Sequence, residues 1–166
     1  MKLHKLLLGA AVIGSSIAAM PHIAKATTTS GTANVLLRAA ITLVEDTVLD
    51  FGEVTPNPSG DVITISSAGA TSAVSGSTFA GSPTAGAWTA TGSPLTAATI
   101  SFSSGDVLSG TGTDMALGTY THDGGASPAF DGSGDLSFNV GASLTIATAQ
   151  TAGSYTGSYS VTVDYQ

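Results

Sequence analysis

Cysteine is absent from the 166 residues of this chain. No disulfide can hold the fold, so packed apolar surface alone must stabilise it. A lipid cannot be attached to a cysteine at a processed N-terminus either, which excludes a lipoprotein. Lysine occurs only at Lys2, Lys5 and Lys25. Past residue 26 a Lys–Asn isopeptide crosslink is therefore impossible, and Arg38 is the sole basic side chain against eleven carboxylates. Such a surface repels phosphates and anionic lipid headgroups, so nucleic acid is not an expected partner. Helical periodicity is missing as well: no 3.6-residue pattern is sustained after residue 26.

What the first residues do contain is a targeting pattern. Lys2, His4 and Lys5 make a short basic start, Leu6 to Ala19 an apolar run, and Ala24-Lys25-Ala26 places small residues where a signal peptidase needs them. The run is shorter than the roughly 20 residues of a membrane span. Residues 1–26 are read as a signal peptide and 27–166 as one secreted β-domain, with no membrane insertion after cleavage. The expected route is the periplasm, then the cell surface or medium.

Beyond it, strand signals recur between Gly- and Pro-rich breaks. The clearest is the C-terminal stretch, where Tyr155, Gly157, Tyr159, Val161, Val163 and Tyr165 alternate with Thr156, Ser158, Ser160, Thr162 and Asp164. Successive side chains point to opposite faces of a strand, so this reads as one long strand with a core face and a hydroxyl face. It predicts an antiparallel sandwich that ends on a central strand. A second alternation puts Val35, Leu37, Ala39, Ile41 and Leu43 on one face until Glu45-Asp46 breaks it. Further strands are expected at Val48–Gly52, Asp61–Ser66 and Met115–Thr121, the last with Met115, Leu117 and Thr119 on one face. Ala68–Gly86 reads as a weak strand and loops. Ala87–Thr91 and Ala98–Phe102 flank Gly92-Ser93-Pro94 as a hairpin-like pair. Leu136–Val140 and Ser143–Ala147 bracket Gly141-Ala142, a hairpin or a bulge. Many short strands with such breaks point to an all-β, immunoglobulin-like sandwich.

Three pieces carry a resemblance: Leu49-Asp50-Phe51-Gly52, Leu144–Ala147 followed by Ala152-Gly-Ser-Tyr155, and Tyr155–Tyr165. Together they resemble an uncharacterised (DUF-type) family of secreted bacterial β-sandwich domains, similar in pattern to spore-coat protein U and more distantly to chaperone–usher fimbrial pilins. The resemblance implies a pilin-like module assembled by donor-strand exchange, each subunit lending an N-terminal strand, within residues 27–40, to its neighbour. It implies self-association or a periplasmic chaperone and usher as partners. Val35, Leu37 and Ala39 would enter the neighbour, with Ile41 and Leu43 in the chain's own sheet. Arg38-Ala39-Ala40 stands where proline more usually marks that boundary.

Catalytic chemistry finds little support. His122, the only histidine past residue 26, sits beside Asp123 in a Gly-rich stretch and reads as an exposed loop residue, with no Gly-x-Ser-x-Gly elbow to make a triad. Asp131, Ser133 and Asp135 fall at positions one, three and five of a calcium-loop pattern that lacks its glycine and glutamate, so a solvated turn is expected, with weak calcium binding left open. Glu45, Asp46, Asp50 and Glu53 read as solubilising carboxylates. Tyr155 after Ala152-Gly153-Ser154 reads as a tyrosine corner, and Tyr159, Val161 and Val163 as structural core. Trp88 reads as core rather than an adhesive aromatic. No catalytic residue, metal or cofactor is expected. The leading reading is a non-enzymatic structural or adhesive subunit. A monomeric binding module for a ligand such as carbohydrate, with a complete sandwich, is the alternative; a secreted hydrolase is the third.

Overall fold

The computed structural model describes residues 25–166, with a compact body from Leu36 to Gln166. The signal-peptide reading, Lys25 and Ala26 apart, lies outside the described residues. Every regular element among those residues is a β-strand.

The body is built on β10 (Asp135–Ile146). Leu136, Phe138, Val140, Ala142, Leu144 and Ile146 are all buried, a strict period of two that gives this strand one inner face throughout. Its two halves have different neighbours on the same edge. The first half pairs with β6 (Gly86–Thr91) and the second with β3 (Asp61–Ile65). Gly141 marks the division, because a Cβ there would collide with the Ile65 carbonyl. The opposite edge pairs with β9 (Met115–His122). Outward from these lie β1 (Thr42–Thr47) beyond β6, β4 (Thr71–Ala73) beyond β3, and β8 (Asp106–Gly110) then β11 (Tyr155–Gly157) beyond β9. The result is one curled, nearly closed eight-stranded sheet.

Two short ribbons complete the body: β2 (Glu53–Thr55) with β5 (Thr78–Ala80), and β7 (Ala98–Phe102) with β12 (Val161–Tyr165). Val54 and Phe79 of the first ribbon pack on a core of Phe51, Ile63, Met115, Leu144 and Ile146. The second ribbon contributes Ala98 and Val163 to a core of Phe130, Leu136, Phe138 and Val140, with Ile100, Val161 and Tyr165 packed beside them. Tyr120 and Tyr159 touch both cores and stack on each other with centroids 5.2 Å apart.

Buried Asp61 ties the loop after β4 to the start of β3. Its Oδ1 accepts the N–H groups of Val62 (2.8 Å) and Ser75 (2.7 Å), and its Oδ2 that of Ser77 (2.8 Å). The Ser77 hydroxyl and these backbone donors, outweighing burial, pull its pKa down to about 2.

The all-β reading and the strands at β3, β6, β7, β9 and β10 are observed; several expectations are corrected. The C-terminal run keeps its alternation but is two strands. β11 sits at the edge of the large sheet and β12 pairs only with β7, so the chain does not end on a central strand. Ser103 pins the switch: its Oγ accepts the Ser160 N–H (2.8 Å) and its N–H donates to the Ser160 carbonyl (3.0 Å). β6 and β7 do not pair, because β1 and β10 already occupy both edges of β6. Val48–Gly52 makes only an isolated bridge, Asp50 to Thr84. Glu45 and Asp46 lie within β1, which continues to Thr47, but the alternation does break there, with a register shift between Glu45 and Thr47. Of the hairpin and the bulge expected at Gly141-Ala142 the structure has the bulge, with the extra residue on the partner strand β9, where Thr119 has φ 49°. That residue reverses the alternation, so Met115 and Leu117 point inward before it and Tyr120 and His122 after it, leaving Thr119 exposed. β8 has no counterpart in the sequence reading, since Val107-Leu108 is too short a run between Ser, Gly and Asp to announce itself.

Candidate functional site

Strand structure begins at Thr42, not at Ala33. Residues 33–41 form no regular element, and Val35, Leu36 and Leu37 are 82%, 80% and 84% exposed. An extended strand needs a paired edge to satisfy its backbone, and among the described residues no strand pairs with this segment. Ala39 is exposed too, whereas Ile41 and Leu43 are half-buried against the second core. The alternation is therefore divided: its C-terminal members belong to the body, and Val35 and Leu37 are left in water.

The division falls at an anchor. The Tyr165 hydroxyl donates to the Ala39 carbonyl (2.7 Å) and accepts the Ser93 N–H (2.6 Å), while the Ala39 N–H donates to Ser93 Oγ (2.8 Å). Arg38 Nη1 donates to the Gln166 carbonyl (3.1 Å), and its guanidinium lies 5.3 Å from the Tyr165 ring centroid, within cation–π range. Tyr165 does more than its apolar face announced. Its phenol sits where three chain segments meet, and no local sequence signal marks Ser93 or Gln166 as its partners.

A cleft of about 770 Å³ opens on the first core. Val48–Val54 forms one rim and Gln150–Gly157, including β11, the other; Ile63, Met115, Leu144 and Ile146 make an apolar floor. Among the described residues β11 is paired on one edge only, by β8. On that rim the Tyr155 hydroxyl donates to the Thr151 carbonyl (2.7 Å), the tyrosine-corner bond, and its ring is half-buried. Tyr159 is half-buried, with its hydroxyl accepting the Trp88 indole N–H (3.1 Å); burial raises its pKa. Val161 is half-buried and Val163 fully so.

Most of the other polar groups are mutually satisfied; among the described residues His122 Nδ1 and, on the cleft rim, Gln150 Oε1 are buried without a hydrogen-bond partner. A shallow site of about 390 Å³ gathers Asp46, Thr89, Asp123 and Asn139, but Thr89 already donates to Asp46 (2.7 Å) and Asn139 to Asp123 (2.8 Å). Asp131 Oδ1 accepts the N–H groups of Ser133 (2.8 Å) and Asp135 (2.9 Å), a self-contained turn, and the Asp135 and Ser133 donors lower its pKa. His122 is not the exposed loop residue expected. It ends β9 half-buried, 6.0 Å from Phe102 and 6.3 Å from Phe138, ring centroid to centroid. Burial and the Asp106 carboxylate, which accepts its hydroxyl (2.8 Å), push the Tyr120 pKa up. Among the described residues no three His, Asp or Glu side chains converge on a metal-sized site.

A family model described as "Domain of unknown function (DUF4402)" matches residues 41–165. No curated protein and no solved structure matches the chain.

Proposed function

The chain belongs to this DUF4402 family, and from that premise we propose a secreted, non-enzymatic structural subunit that assembles by lending its N-terminal segment to a neighbour. The body would act as an immunoglobulin-like, pilin-like module at the cell surface, carried there through the periplasm, with a chaperone and usher as the transit partners. One observation carries the reading: Val35-Leu36-Leu37, three large aliphatic side chains in a row, stand at least 80% exposed immediately before the Arg38–Ala39 anchor. Burying each such side chain contributes about 1.5–3 kcal/mol. A run of this kind, unpaired among the described residues and followed by an anchored exit point, suits a partner that supplies both an apolar groove and a strand edge.

The test is the size distribution of the protein that begins at Thr27. It should form concentration-dependent polymers, and Leu37→Asp should abolish them by forcing a charge into an apolar groove. The melting temperature of the monomeric fraction should be unchanged, since Leu37 is 84% exposed in its own chain. Polymers that persist in Leu37→Asp, or an unsubstituted chain that stays monomeric at every concentration, contradict strand lending. A strictly monomeric chain would favour the binding-module reading.

A further inference from the structure

Resting on that reading, we infer that the cleft between Val48–Val54 and β11 is the acceptor, and that a second copy's Val35–Leu37 fills it head to tail. The cleft has the parts a donated strand requires. Its floor is apolar, from Ile63, Met115, Leu144 and Ile146, and one rim is a strand with an unpaired edge. At about 770 Å³ it falls in the range of pockets that bury most of a drug-sized ligand, room for the side chains of a short segment. Its rim carries Asp50 and Glu53, whereas the stretch Thr27–Arg38 holds no carboxylate in a chain that has eleven. The entering segment thus brings no carboxylate to that acidic rim, and Arg38 beside it carries the only positive side chain past residue 26.

The polarity follows from β10. The anchor lies at its N-terminal end: Ser93 follows Gly92, whose N–H donates to the Gly134 carbonyl (2.8 Å), and Thr91 pairs with Asp135. The cleft floor lies at the C-terminal end, at Leu144 and Ile146. Ten residues of strand separate the two, roughly 30 Å at about 3.3 Å per residue. From Ala39 back to Val35 the chain can reach at most roughly 14 Å. A molecule therefore cannot fill its own cleft with Val35–Leu37. Donor and acceptor occupy different surfaces, so the contact is heterologous and propagates as an open chain unless its rotation closes a ring.

The absence of cysteine makes crosslinking a clean test. Val35→Cys is placed in one batch of the chain beginning at Thr27 and Val54→Cys in another, and the batches are mixed and oxidised. A second acceptor variant, Thr156→Cys, probes the β11 rim at an exposed position that costs the fold nothing. The expected product in both pairings is a donor–acceptor dimer bridged at those cysteines, identified by peptide mass. The doubly substituted Val35→Cys/Val54→Cys chain should give a ladder of multimers that reduction collapses. An intramolecular bridge in that chain would overturn the reach argument. Polymers that form without either bridge would overturn the cleft assignment while leaving strand lending in place. A chain that never assembles would remove both.

Discussion

Asp61 shows how much one side chain can hold. It accepts three backbone N–H groups and sits buried at the start of β3, so the ionised carboxylate stabilises the Ser75–Ser77 loop and, next to it, β5 of the ribbon over the first core. Its pKa is about 2 in the folded chain against about 3.9 when unfolded. Because the folded value is the lower one, its contribution is complete above pH 4 and is lost as pH falls towards 2. The expected outcome is a melting temperature that drops steeply between pH 4 and 2. In Asp61→Asn that drop should be shallower, starting from a lower value at neutral pH, because an amide N–H₂ would then face a backbone donor. Thermal melts across that pH range check it, and identical profiles for the two proteins would contradict it. None of this was legible in the sequence. Asp61 opens an obvious strand, but its partners lie up to sixteen residues away in a stretch of Ser, Thr, Ala and Gly without pattern.

Among the elements, β10 and the C-terminal run were legible because a two-residue period survives any change of neighbour. Leu136 to Ile146 keeps its buried face while its pairing passes from β6 to β3, and Tyr155 to Tyr165 keeps its own across a change of sheet. Pairing was not legible, because alternation says which side is buried and nothing about which edge is taken. The bulge expected at Gly141-Ala142 has its extra residue on β9, which alternation does not show: one inserted residue reverses the faces, so Thr119 reads as part of the inward row, while the Gly-rich stretch after it makes His122 read as a loop residue. Gly141 can be tested at this scale. Gly141→Ala would press a Cβ into the Ile65 and Ser66 backbone, which cannot move without breaking the β3–β10 ladder. A loss of about 1–3 kcal/mol is expected, in the range of overpacked cores. Gly118→Ala on β9 meets nothing within 4 Å and should stay within about 0.5 kcal/mol of the parent. Urea denaturation of both variants gives the comparison, and equal stabilities would mean that β10 does not pass as closely to β3 as described.

For the whole molecule, the sequence pointed to the segment but not to its counterpart. Val35 and Leu37 stand out by alternation, and the cleft's two rims include Leu49–Gly52 and Ala152–Tyr155, which the sequence also marks; nothing in it says that these runs face each other across a floor drawn from β3, β9 and β10. The family match starts at Ile41, one residue before β1, so the lent segment lies outside the matched domain and the assembly claim rests on this chain's own residues. Past residue 26, Arg38 is the only trypsin site, and it stands between Leu37 and the anchor at Ala39. In a monomer the segment before it is exposed and unpaired, and Arg38 and Ala39 are themselves exposed, held only by surface hydrogen bonds to Gln166, Ser93 and Tyr165, so the bond reaches a protease by local opening. With Val35–Leu37 seated in a neighbour, the same bond lies at a closed junction. The decisive measurement is limited tryptic digestion of separated monomeric and high-molecular-weight fractions, read by intact mass. Rapid cleavage after Arg38 in the monomer and protection in the polymer is the expected result; equal rates in the two fractions would contradict strand lending.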